Sequence, residues 1–337
     1  MAHPASRRFA LQSLSLAAMS SALSPWSALA QTGGLPIEQV KFICGFPPGG
    51  TADITSRRVG DKISGSNYTR NGVVVENKTG AGGRIAIEAV KNAPADGSTL
   101  LLSAYSMMLI YPHIYKSLSY DPFKDFVPVS TASMLSHGLA VGPMVPASVK
   151  TVKDFLAWCK ANPDRANYAS PAAGSTPHFL GALLSLNSGI AMQHVAYRGS
   201  VPGVTDVVGG QIAAMFTPHG DFLANHRAGK LRILATSGKA RSPFVSEVAT
   251  FAEQGFADLT VEEWFGFFAP AKTPASIVSA ANTAINQALK DKALVEGLGM
   301  MGLQTYGGSS EDMAKDMRRL YDYWGPIVKR IGFTADS

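Results

Sequence analysis

The pattern that most constrains this chain is an alternation of short apolar strands and helices that runs twice. Residues 40–44, 73–76 and 99–103 read as strands, with helices near 53–63 and 84–92 between them. That is a βαβαβ unit around a parallel sheet. A second series follows. Thr151 starts a helix with Asp154 completing a capping box, and Val152, Phe155, Leu156 and Cys159 share its apolar face. Strands at 167–170, 192–197, 213–217 and 231–236 come next. The final third returns to helix, with Ile277, Ala281, Ala284 and Ala288 on one face and Met313, Met317, Leu320, Trp324 and Ile331 on another. Pro326 is expected to kink that last helix. No Ser/Gly tether separates the series, so two apolar, extended segments, 127–141 and 262–269, must join them. Two crossings make a hinge, and a hinge between two α/β lobes encloses a cleft. The expected layout is residues 31–137 with 266–337 as lobe one and 138–265 as lobe two, each a mostly parallel sheet flanked by helices. Trp264 is assigned to packing along the second crossing.

The first thirty residues carry Arg7-Arg8, a short Ser-rich apolar run and Ala28-Leu29-Ala30, and hold no acid. This reads as a signal peptide, residues 1–30, and hence an exported, periplasmic chain on either the Sec or the twin-arginine route. Taking away Arg7 and Arg8 lowers the formal charge from +6 to +4, and no Lys/Arg cluster remains. Nucleic acid is therefore a poor partner. Cys44 and Cys159 fall in different lobes and are expected to be buried free thiols.

In open α/β sheets, ligands sit beyond the carboxyl ends of the strands. Three loops qualify. The first, Phe46-Pro47-Pro48-Gly49-Gly50-Thr51-Ala52-Asp53, follows a strand and opens a helix, with Thr51 the expected cap. Its free amides and the helix dipole favour an anion without a basic residue. It lacks both the dinucleotide glycine spacing and the Lys of a phosphate loop, so a small carboxylate suits it better than a nucleotide. The second loop runs from Ser170 to His178 and offers Gly174, Ser175 and Thr176, with Ser175 or Thr176 as cap. The third contains Arg198, Gly199 and Ser200, with Ser200 the expected cap and Arg198 the only fixed cation of the three loops. Ser103 and Tyr105 after the third strand, and Thr217-Pro218-His219 after a later one, are candidate walls.

Signals for catalysis are weaker. There is no Gly-x-Ser-x-Gly elbow, no His pair at ligand spacing and no Cys-x-x-Cys. No cofactor or metal is implied. A trio of Ser175, His178 and Asp53 would be the basis of a secreted hydrolase, the least favoured reading. His113, His137, His194 and His226 are assigned to the surface or to packing.

The segments FPPGGTADI, VVVENKTGAGGRIAIEAV, DGSTLLL, YDPFKDFVPVS, NYASPAAGSTPHFLGALL, VAYRGSVPGVTDVVGGQI and WFGFFAPAKTP stand in an order and spacing that resemble the Bug family. These are periplasmic substrate-binding components related to tripartite tricarboxylate transporters. The resemblance runs from about Ile37 to Phe333 and implies a two-lobed Venus-flytrap fold of the type II class. It also implies a monomer that binds a small organic acid between its lobes and delivers it to membrane permease subunits, or presents it to a sensor kinase. By the same resemblance, Pro48 to Asp53 and Ser170 to Thr176 grip the ligand carboxylate, with Tyr197 to Ser200 as a third wall. One departure stands out: relatives commonly carry Asp-Asn after the strand ending at Phe216, where this chain has Thr217-Pro218-His219. The missing acid argues against an amino acid ligand, and Tyr105, where relatives often have a small residue, suggests an aromatic wall.

Overall fold

In the computed structural model, which describes residues 35–335, the strands are β1 (Lys41–Cys44), β2 (Val74–Asn77), β3 (Thr99–Ala104), β4 (Phe126–Val141), β5 (Asn167–Ser170), β6 (Gln193–Ala196), β7 (Ala214–Pro218), β8 (Arg232–Thr236), β9 (Glu262–Pro270) and β10 (Gln304–Thr305). The helices are α1 (Thr51–Ile63), α2 (Arg84–Lys91), α3 (Tyr105–Leu109), α4 (Tyr111–Ile114), α5 (Val152–Ala161), α6 (Thr176–Ser188), α7 (Ser200–Val208), α8 (Leu223–Arg227), α9 (Ala275–Ala288), α10 (Lys292–Gly299) and α11 (Ser310–Ile331). The expected signal peptide lies outside the described residues.

Each lobe has a parallel core of three strands. β1 pairs in parallel with β2 and β3 in the first, and β5 with β6 and β7 in the second. The crossing strands run the other way. β9 pairs antiparallel with β3 and β4, and β4 pairs antiparallel with β7, β8 and β10. The sheets are therefore mixed, which corrects the expectation of mostly parallel ones. Two segments that pass between lobes must enter and leave each sheet, and an antiparallel strand does so without a helical crossover.

β4 is the seam of the molecule. Residues Phe126 to Ser136 pair with β9, and from His137 onward the strand pairs with β7 instead. One large core surrounds β1, β3 and β9, and two smaller ones flank the second sheet. The last helix does not keep to lobe one: Ile327 and Ile331 pack against a core of the second lobe as well, and Arg330 reaches Asn187 and Asp258. Pro326 sits inside that helix, which continues to Ile331.

Cys44 and Cys159 are buried and unbridged, and burial pushes both thiols up to about 12.

Candidate functional site

The turn after β1 is held by its own side chains. Asn77 on β2 donates to the Phe46 carbonyl and to Asp53 Oδ1, each at 2.8 Å. The Gly49 amide donates to Asp53 Oδ2 at 2.9 Å, and Arg57, one turn along α1, pairs with the same carboxylate. Burial alone would raise the Asp53 pKa, but Arg57, Gly49 and Asn77 outweigh it and hold the carboxyl below its usual range. Asp53 thus fastens the turn and is not presented to a guest.

That clamp aims the amino end of α1 at the space between the lobes. The N-cap is Gly50, in extended conformation, and Thr51 is the first helical residue, so the assignment of Thr51 as cap is corrected by one position. No side chain of the turn caps the helix. The Thr51 amide instead donates to Asp221 Oδ1 at 2.9 Å, a carboxylate carried by the second lobe. Thr217 Oγ1 donates to the other oxygen at 3.1 Å. Burial raises the Asp221 pKa, opposed by hydrogen bonds from Ser200, the Thr51 amide and Thr217.

The same device recurs at α3. Ala104 precedes it with no capping side chain, and the Ser106 amide donates to Glu263 Oε1 on β9 at 2.9 Å. The other oxygen of Glu263 stands 2.9 Å from His137 Nε2 on β4, with both side chains buried. The two crossing strands, paired with each other along their backbones, are thus tied through Glu263 to a helix end of lobe one.

Together these groups enclose a cavity of about 40 Å3, bounded among others by Phe46, Gly50, Thr51, Ala52, Ser106, His137, Ser175, Ser200, Asp221 and Glu263. That holds a few waters and falls far short of the several hundred Å3 a drug-sized ligand fills, so the lobes stand nearly shut. Their approach is close at the rim. Gly199 has φ +98°, and a Cβ there would collide with the Pro47 ring. Gly199, not Ser200, is the N-cap of α7.

The expected site residues divide into three groups. Phe46, Gly50, Thr51, Ala52 and Ser175 line the cavity. Pro48 and Gly49 face solvent on the outside of the turn, and Thr217 serves through Asp221. Most of the rest stand behind the walls. Ser103 donates to the Ala104 carbonyl. Tyr105 is fully buried against Trp264 and Trp324, which removes it as an aromatic wall. Ser170 bonds the Ala172 carbonyl and His194, Thr176 is buried, and a Cβ on Gly174 would meet Ile114. Arg198 projects into solvent with no ion pair among the described residues, so no Lys or Arg lines the cavity.

The hydrolase trio is not assembled. Ser175 Oγ donates to the Ala172 carbonyl and, as N-cap of α6, accepts from the His178 amide, while His178 Nδ1 accepts from Gly174 at 2.9 Å. Asp53 belongs to the clamp at the other lobe.

Sequence reasoning missed Asp221, Glu263 and His137. It noted the lost acid after β7; the structure returns a carboxylate to that loop four residues later, through Asp221.

A family profile described as "Tripartite tricarboxylate transporter family receptor" matches residues 57–333. Protein BugT of Bordetella pertussis is 33% identical over 88% of this chain and 90% of its own length. A solved structure described as a periplasmic transporter superposes with TM-score 0.84 at 35% identity, covering 89% of this chain and 99% of its own. A protein of R. palustris solved with adipate gives TM-score 0.84 at 29% identity, covering 90% and 99%.

Proposed function

Since the chain belongs to the tripartite tricarboxylate transporter receptor family, we propose that it is an exported solute receptor that binds one small organic carboxylate between its lobes. The observation that carries this is the amino end of α1, aimed into an interlobe cavity whose lining includes no Lys or Arg. An anion there is held by backbone donors and the helix dipole. Thr51 gives its amide to Asp221, so the next amides of the first turn, Ala52 and Asp53, are the donors for the guest, with Ser200 facing them. The related R. palustris protein solved with adipate supports an organic acid as the ligand class.

Of the described residues, lobe one comprises 35–137 and 266–335 apart from the end of α11, and lobe two comprises 138–265. The lobes open about β4 and β9 to admit the ligand, close on it without chemistry, and present the closed form to the membrane subunits of a tripartite transporter. Residues 1–30 direct export, and the mature receptor is a periplasmic monomer.

The test is a thermal-shift panel of aliphatic and aromatic mono-, di- and tricarboxylates on protein refolded to strip bound ligand. Ligand at one hundred times its Kd adds about 2.7 kcal/mol, a rise of several degrees in Tm. A hit confined to one acid class supports the reading. A flat panel on folded protein refutes it.

A further inference from the structure

Asp221 is a carboxylate that reaches across the cleft. It sits in the 3-10 turn His219–Phe222, whose Phe222 is anchored in a core of the second lobe, and it accepts from a backbone amide of α1 in the first. Thr217 holds its second oxygen, so its direction is set before the lobes meet. The amide it accepts from is the first of a 13-residue helix, where the N-terminal partial charge is greatest. Where this turn meets lobe one, Gly220 passes the Met301 carbonyl so closely that no Cβ would fit.

We propose that Asp221 is an interlobe latch: its carboxylate docks on the amino end of α1 as the lobes close and must leave it before they open. The proposal rests on the receptor reading above, since a latch matters where a hinge works, and it assigns Asp221, which borders the cavity, a positioning role. The latch acts on every ligand alike. Opening breaks the Thr51–Asp221 bond whatever the cavity holds, so its loss speeds release. Entry takes place through the open form, in which the bond is already broken, so the association rate is untouched.

Two substitutions attack the bond from opposite sides. Asp221→Ala removes the acceptor. Thr51→Pro removes the donor, at the first helical position, where proline is favoured because its missing N–H lies outside the helix ladder. Asp221→Asn keeps an acceptor for the amide but loses the charge and falls between. In stopped-flow measurements with two or more carboxylates that bind the wild type, both Asp221→Ala and Thr51→Pro should raise koff by about 10- to 100-fold, the worth of one hydrogen bond to a charged group. The factor should be the same for each ligand, kon should be unchanged, and the double variant should add little. An unchanged koff overturns the latch. So does a factor that differs between ligands, which would place Asp221 on the guest, and so does full additivity of the two variants.

A readout independent of any ligand separates this proposal from the receptor reading. Spin labels at the exposed positions Val74 and Leu186, one on each lobe, report the interlobe distance in the free protein. Both variants should widen the distribution, the double variant no further, while far-UV circular dichroism confirms that each is folded. A distribution identical to wild type overturns the latch even if every carboxylate binds, and a widened one upholds it even if none does.

Discussion

Acidification should unfold this protein through two stacked imidazoles behind the second cleft loop. His178, in the first turn of α6, and His194, on β6, lie ring to ring with centroids 3.8 Å apart. His178 Nδ1 accepts from the Gly174 amide, so it carries no proton there. Ser170 Oγ donates to the Ala172 carbonyl, so His194 Nε2 is the donor in their 2.7 Å contact. The accepting nitrogen makes His178 neutral, and a pKa lowered by burial keeps His194 neutral as well. Burial, with the neighbouring ring as a second cause, lowers the His178 pKa to about 3, and burial lowers that of His194 to about 4. In the unfolded chain each titrates near 6.5. Between these values the unfolded state binds protons that the native state refuses, so stability is level above pH 6.5 and falls as pH drops toward 4. At pH 4.5 each ring costs about 2 to 3 kcal/mol, and the pair about 5, against a total of about 5–15 for a typical domain. The assay is urea unfolding across pH 7.5 to 4.5 for wild type and for the double variant His178→Asn, His194→Gln. Asn offers an oxygen near the Nδ1 position for Gly174, and Gln offers an N–H near the Nε2 position for Ser170, and neither titrates. The variant should be less stable at pH 7.5, for want of stacking, yet lose less on acidification. Parallel profiles for the two proteins would refute the reasoning.

Three further outcomes follow from the same geometry. Gly220→Ala should hold the lobes apart, because a methyl there would run into the Met301 carbonyl, and opening relieves the clash; scattering that still matches the closed form would contradict this. Asn77→Ala removes two hydrogen bonds that pin Phe46 and Asp53 and should cost about 1–3 kcal/mol in urea unfolding; an unmoved midpoint would show that the turn holds without it. Cys44 and Cys159 should resist a thiol reagent at pH 8 in the native protein and both react in denaturant, since burial keeps each protonated; a fast-reacting native thiol would count against their burial.

Much of the architecture was legible in the sequence because it is written locally. The strands of both series fall within a residue or two of where apolar runs and glycine turns place them, and the crossings appear as extended apolar segments. The capping box at Thr151 is present as read, with Asp154 four residues from the Lys150 amide it also accepts from. At the cleft this logic fails in a specific way. Thr51 and Ser200 have the chemistry of caps, yet each is the first helical residue behind a glycine. At α1 the carboxylate that satisfies the exposed amide lies 170 residues away, and at α3 it lies 157 residues away. A cap supplied from another lobe leaves no trace in the spacing around the helix it serves. The same fact accounts for the misplaced emphasis on Arg198. Arg198 was read as the one fixed cation among the three loops, whereas the structure leaves it in solvent and fills part of the amide cradle with the chain's own acids. The hinge strands and the turn after β7 place those acids, so the residues that define the cleft are legible only once the two crossings have brought the lobes together.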